Sequence, residues 1–552
     1  MIKKLRKYLS ENSLDYLLVN TTDEFLVEYN ELTNCSRYYV TGFSGSTGDA
    51  LISGENLWQF ADGRYHEQAD KETDPKTTTV VKLQLGESFL EKMVEIIKPD
   101  STLGVVSKKI SLNFYKILKK KCLSKGIKIK VLDHDPVELF HGLKTAESSE
   151  PAKKIDIKIA GVSADEKFLK IAKKLRKKQV YLETNLENIA YLTNLRQYKT
   201  PFSSVFKAKL AIYKDRAVIF TDEKIEITGE HFETKPMSEF EDFLPEKFEA
   251  LYVPSTINLA DFRLIKRNAA PLRKNRIALM KSIKNEAEIA HFKKNFERTD
   301  KVVEKINNLI ATQENLNEKE LSDAVEKGYL ALGARQLSFK TILAAGANSS
   351  IIHYSHPSRD VRVTDGDFVL LDCGGHFEGG YSTDITRTFI KGMPDELQKR
   401  VYTTVLKMFL NAYHHKVTSR TTGATLDRIA RKIAKKSGLL EEGFNFNHGL
   451  GHGVGINVHE MPPTISCGAY GRKFLKENMV FTIEPGLYKS GFGGVRLENT
   501  VYLTKKDGDF VIQSLSKMKF EPKCIDESLL NAQEKIWLKN WQEQNNSPKN
   551  KG

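Results

Sequence analysis

VLLDCGGHFEGGYSTDITRTF, residues 369–389, decides how this chain is read. An apolar run leads into Asp372, and a β-branched, alternating run follows Asp384. Glycines between them mark a turn, so the spacing predicts a hairpin with one aspartate on each arm. A carboxylate in a semi-buried strand is costly unless something neutralises it. The meaning of the hairpin therefore depends on what else the chain supplies.

The same placement recurs further along. His452 lies in HGLGHGVG, Glu484 in VFTIEPGLY and Glu498 in GVRLENTVYL, while His353 stands in SSIIHYSHP and His459 in NVHEMPP. Taken singly, each is a turn-capping acid or a strand-end histidine. HGLGH lacks the glutamate of a zinc-binding HExxH helix, and its glycines disfavour a helix. Taken together, four carboxylates and one imidazole in apolar or glycine-rich strands call for cations. Oxygen-rich ligands with one nitrogen and no thiolate suit manganese, cobalt, iron or zinc. Five ligands exceed the three that a catalytic zinc typically uses. Bridging carboxylates can instead hold two metals with a hydroxide between them.

The rest of the composition narrows the setting. A chain of 552 residues exceeds a single core and implies two to four domains. It is 40% hydrophobic and 28% charged, as ordinary soluble enzymes are. No apolar run reaches the ~20 residues of a membrane span. The opening MIKKLRKYLSENSLDYLLVN reads as an amphipathic helix and not a signal peptide. Five scattered cysteines with no CxxC pair indicate free thiols and a cytoplasmic protein. The net charge of +14 comes from lysines spread along helical patterns such as KKLRKK and KILKKKC. They read as solvated faces, so neither nucleic acid nor membrane is an expected partner.

Three blocks and a tail follow. Residues 1–150 alternate strand and helix patterns, an α/β layer. Residues 151–275 repeat the plan: VYLETNLENIAYLTNLR echoes YLLVNTTDEFLVEYNEL, and AKLAIYKDRAVIFTDE echoes GDALISGENLWQFADG. This is a degenerate internal repeat of about 150 residues. Residues 276–525 open on long helical patterns and continue into the glycine-rich hairpins that carry the acids and histidines. Residues 526–552 read as a helix and a polar tail, with NNSPKNKG disordered.

The order Asp372, Asp384, His452, Glu484, Glu498, set in IIHY, DITRTF, HGLGHGVG, NVHE, EPGLY and GVRLEN, resembles the pita-bread metallopeptidases, and among them the aminopeptidase P (Xaa-Pro aminopeptidase) family. YYVTGFSGSTGDALI, DGRYHEQA and ENIAYLTNLR look like the two leading domains of its large three-domain subgroup. The resemblance implies an α/β (α+β) chain: two related creatinase-like domains, then a pita-bread catalytic domain. It implies metal-dependent hydrolysis of an N-terminal Xaa-Pro bond by a hydroxide bridging two divalent ions, manganese first, with zinc or cobalt as alternatives. Asp384 and Glu498 would share the metals, Asp372 would chelate one, and His452 with Glu484 the other. Glu484 would also be the general acid/base. His353 would sit near the scissile bond, and His459 would bind the substrate carbonyl or its oxyanion. His448 would line the proline pocket. Arg496, two residues before Glu498, would orient that ligand or the substrate. The implied partners are a peptide with proline second and a second copy of the chain in a homodimer.

Some residues fall outside the pattern. His356 and His376 match nothing and read as surface or loop residues. The Asp372–Asp384 interval is one residue long, and FEGGY is expected to absorb it as a longer turn or bulge. NLRQYKTPFSSVF departs from the family's NLRG…NPVF. Two other functions compete: a prolidase-type dipeptidase and a non-catalytic pita-bread binding protein. The repeated leading blocks argue against the first, and five retained ligands against the second.

Overall fold

A computed structural model of the chain describes residues 1–142, 150–243 and 247–544. The tail expected to be disordered, 545–552, lies outside the described residues. The chain forms two compact units. One comprises Met1–Ile157, Val162–Pro201 and Val205–Ile277; the other comprises Lys158–Gly161, Phe202–Ser204 and the chain from Ala278 onward.

The first unit holds two six-stranded mixed sheets. From edge to edge, one runs Thr79–Lys82, Leu57–Ala61, Ala50–Ser53, Tyr16–Val19, Thr102–Val106, Lys128–Leu132. The other runs Phe232–Lys235, Ala217–Phe220, Lys209–Ile212, Gln179–Glu183, Glu249–Tyr252, Ala269–Pro271. In both, the earliest strand is central. It pairs antiparallel with a hairpin on one side and parallel with a later strand on the other. The repeated sequence thus folds into a repeated topology. Tyr16–Val19 and Gln179–Glu183 are buried at every position, as strands covered on both faces must be.

In the second unit, four helices announce themselves by capping boxes: α1 (Glu286–Thr312), α2 (Glu318–Ala331), α3 (Glu396–Tyr413) and α4 (Gly423–Lys436). Asn285 with Glu288 and Asn317 with Glu320 each satisfy end groups that the helix leaves unpaired. The first sheet is β1 (Ile342–Ala345), β2 (Phe368–Cys373) and β3 (Ile385–Ile390), all antiparallel. Its apolar face, Val369, Leu371, Ile385 and Phe389, packs with Val302, Ile306 and Ile310 of α1. The next sheet is built from β4 (Gly451–Gly453), β5 (Glu460–Ile465), β6 (Val480–Ile483), β9 (Asn499–Lys506) and β10 (Asp509–Ser514), in the order β5-β4-β6-β9-β10. A hairpin of β7 (Gly486–Lys489) and β8 (Gly493–Arg496) stands between them in sequence. Helices α3 and α4 pack on Phe481, Ile483, Val495 and Val501. A last helix, α5 (Ala532–Gln544), sets Trp541 against Phe409 and Tyr413.

The FEGGY turn takes two consecutive left-handed glycines, Gly379 (φ 86°) and Gly380 (φ 69°), which accommodate the long interval between the aspartates. His376 is not the surface or loop residue expected. It lies in a two-residue strand, is fully buried, and its Nε2 is 2.7 Å from Ser382 Oγ, so it closes that turn from inside.

Gly374, between the aspartates, has no room for a side chain: a Cβ would lie 1.9 Å from Thr383 O and 2.3 Å from Ser338 Oγ. Gly374→Ala should therefore cost about 1–3 kcal/mol by overpacking. Thermal unfolding should show the apparent midpoint falling by about 5 °C; an unchanged midpoint would contradict this packing.

Candidate metal centre

The acids and the histidine come from neighbouring strands. Asp372 pairs with Thr386 in the β2–β3 register, and Asp384 lies two residues before Thr386. Period-two alternation therefore puts both aspartates on one face. Glu498 follows β8, and its backbone N–H donates to Thr386 O at 3.1 Å, placing it next along. Ile483 pairs with Asn499, which brings Glu484 in beyond it. Glu484 N donates to Leu450 O at 2.8 Å and His452 N to Thr482 Oγ1 at 3.1 Å, which adds His452. Asp372 and His452 thus lie within strands, and Asp384, Glu484 and Glu498 stand at strand ends beside them.

Their donor atoms converge. Ligand atoms of Asp384, His452 and Glu498 all lie within 4.8 Å of one another. His452 Nε2 is 3.5 Å from Asp384 Oδ2 and 3.4 Å from Glu484 Oε1. Glu498 Oε2 accepts from Thr386 Oγ1 at 2.7 Å. Asp372 Oδ2 accepts from Arg496 Nη2 at 2.7 Å. Burial, reinforced by Glu498, Asp372 and Glu484, holds the Asp384 carboxyl well above the usual carboxylate range. Burial with Glu484 and Asp372 does the same to Glu498. Burial also raises Asp372, against the pull of Arg496.

Two oxygens test whether a cation fits. Asp372 Oδ1 and Glu498 Oε1 are buried and have no hydrogen-bond partner among the described residues. Buried polar atoms are rarely orphaned without a reason. Crowded, partnerless carboxylate oxygens beside one imidazole nitrogen are the donor set a divalent cation needs. The residues present therefore fit a metal.

The remaining residues form a frame around this set. Arg496 is 1% exposed, and its donors go to protein: Nε to Thr386 Oγ1 (3.1 Å), Nη1 to the Tyr488 hydroxyl (3.0 Å) and Ile352 O (3.3 Å), Nη2 to Asp372. It bonds Asp372, on another strand, directly, and reaches Glu498 through Thr386. The Tyr488 hydroxyl, its pKa pushed up to about 12 by burial, also lies 2.9 Å from His448 Nε2. His448 Nδ1 stands 3.9 Å from Glu484 Oε2. The His459 ring packs edge-on to His452, centroids 4.5 Å apart. His353 is half-buried, one residue after the carbonyl that Arg496 grips, and His356 is exposed as expected.

Sequence reasoning missed Thr386, which serves both Glu498 and Arg496, and Tyr488, which joins Arg496 to His448. Thr386 was within reach: alternation in DITRTF puts it on the face of Asp384. Tyr488 carried no signal beyond its place in EPGLY.

With this geometry in hand, comparison with known proteins is direct. The description "Metallopeptidase family M24" matches residues 290–505. "Creatinase/Prolidase N-terminal domain" matches residues 1–138 and again 143–288. A probable Xaa-Pro aminopeptidase P of Paracoccidioides lutzii is 30% identical over 587 residues, covering 97% of this chain and 93% of its own. One from Pyricularia oryzae is 30% identical over 593 residues, covering 98% and 94%. Among solved structures, the X-prolyl aminopeptidase of Caenorhabditis elegans, described as a cytosolic enzyme with a di-nuclear active site, superposes with TM-score 0.89 at 23% identity, covering 96% of this chain and 91% of its own. The chain belongs to metallopeptidase family M24, in its aminopeptidase P branch.

Proposed function

We propose that this metallopeptidase is an Xaa-Pro aminopeptidase whose two divalent cations are held by Asp372, Asp384, His452, Glu484 and Glu498. The convergence of Asp384, His452 and Glu498, with partnerless carboxylate oxygens beside them, carries the reading. The names of the fungal relatives support the specificity. Manganese suits the oxygen-dominated donors, and zinc or cobalt fit the same set. The tandem N-terminal matches support the division at 1–150, 151–275 and 276–525, with 526–552 as the tail. The four buried free thiols and the description of the nematode enzyme support a cytoplasmic setting. The family resemblance supports a homodimer.

When bound, the cations supply Lewis acidity that makes hydroxide available near neutral pH. The chain's residues do the rest. Glu484, less buried than the other three acids, exchanges the proton between the attacking water and the proline nitrogen. His459 donates to the oxyanion that develops on the Xaa carbonyl. His353 lies along the scissile bond. His448, steadied by Tyr488, lines the proline pocket. Proline lacks the N–H that peptidases usually grip and has a fixed φ, so a shaped pocket must recognise it.

Metal-stripped protein given Arg-Pro-Pro or Arg-Ala-Ala should release arginine only from the first and only with added Mn²⁺. Asp384→Ala should abolish release. Release from both peptides would remove the proline specificity. Replacing His459 with Ala should keep the metal content and lower kcat about 10²–10³-fold.

A pH prediction follows from the raised carboxyls. Groups whose folded pKa exceeds the unfolded value of about 4 contribute stability below that value and lose it as pH rises through the folded one. The metal-free protein should therefore melt at lower temperature as pH climbs above about 5, and Mn²⁺ should remove this dependence. Asp384→Asn should raise the metal-free midpoint at pH 8 and weaken the Mn²⁺-induced rise. A metal-free midpoint independent of pH would contradict it.

A further inference from the structure

Glu318, the first residue of α2, is fully buried yet belongs to no part of the mechanism above. Its carboxylate accepts four hydrogen bonds, all from residues 345–358. Oε1 takes Ala345 N at 2.8 Å and Asn348 Nδ2 at 3.0 Å. Oε2 takes the Tyr354 hydroxyl at 2.6 Å and Ser358 N at 3.0 Å. Asn348 Nδ2 also reaches the Tyr354 hydroxyl at 3.1 Å, so two of the four donors are tied to each other. Two donors come before His353 in sequence and two after it. One carboxylate thereby closes the loop around the histidine. The charge is met by hydrogen bonds and by the amino end of α2.

The same loop is held on its other side. Gly494 N donates to Ser349 Oγ at 2.8 Å, and Arg496 Nη1 donates to Ile352 O at 3.3 Å. Gly494 and Arg496 lie in β8, and Arg496 is the residue that orients Asp372. The His353 loop is thus clamped between α2 and the strand that braces the metal set. A carboxylate can make this clamp and an amide cannot. A glutamine has one oxygen, and its NH₂ would face either Ala345 N–H or Ser358 N–H, donor against donor.

We infer that Glu318 is a positioning residue for His353: it fixes the loop that presents the imidazole, and it affects catalysis through that histidine. The inference rests on the role given to His353 above. It is separable from a general contribution to folding, because a residue that only stabilises the unit would act equally with or without the imidazole.

The test is a double-mutant cycle on the full chain loaded with Mn²⁺, reading kcat on Arg-Pro-Pro and metal content. Glu318→Gln should keep the metal content and lower kcat about tenfold. On a His353→Ala background the same change should alter kcat less than about twofold. In the metal-free protein, amide exchange across 346–359 should quicken in Glu318→Gln while 448–460 keeps its protection. If Glu318→Gln does not fold, Tyr354→Phe removes the hydroxyl's bonds to Glu318 and Asn348 and leaves the carboxylate its other three donors. It should lower kcat about threefold, again only when His353 is present. An equal factor in both backgrounds, loss of metal, or unchanged exchange at 346–359 overturns the inference. An inactive wild type, or His353→Ala with wild-type kcat, overturns it by removing its premise, and the parent and single variant alone reveal that case.

Discussion

Asp372, Asp384 and Glu498 converge where little water reaches them, with half-buried Glu484 beside them and Arg496 bonded to Asp372. Like charges at such spacing raise one another's pKa, and burial adds to the effect. The folded chain without a cation is therefore strained electrostatically at this point. A protein keeps such an arrangement only where surrounding structure over-determines it. Here the over-determination is visible. Each acid lies in a strand or next to the end of one fixed by ladder hydrogen bonds, and the apolar side of those strands is sealed by α1, α3 and α4.

The guanidinium of Arg496 shows how the strain is contained. It reaches Asp372, Thr386, Tyr488 and Ile352, residues from four separate segments. Planar, multidentate and always charged, it fixes directions that a lysine would leave loose. Through Tyr488 it also steadies His448, and through Ile352 the loop of His353. One side chain couples the candidate metal ligands to the groups proposed to meet the substrate.

Much of this was legible in the sequence because it is local. The hairpin reading put one aspartate on each of two paired arms, and the echo between the leading blocks anticipated two sheets of one topology. What stayed hidden was long-range. The spacing of Arg496 pointed to Glu498, two residues away, whereas its partner Asp372 lies 124 residues away. His376 looked like a loop residue because GGHFEGG gives no hint that the turn folds inward over it. Glu318 reads as an ordinary acid at a helix start, which is what an N-terminal glutamate usually is. Only the tertiary fold brings the residues 345–358 to it.

The paired sheets of the leading unit leave four open borders: Thr79–Lys82, Lys128–Leu132, Phe232–Lys235 and Ala269–Pro271. An open border offers bare N–H and C=O groups to any extended chain it meets. Three of these borders carry lysines and the fourth ends in proline, and none exceeds five residues. Lys82 is held by Asp70 of the helix His66–Glu72, and Lys130 by the carbonyl of Asn12, which caps the helix Ile2–Glu11. Short length, lysines and a proline are the features by which sheet borders discourage pairing with another strand, and all four rims of this duplicated architecture carry them.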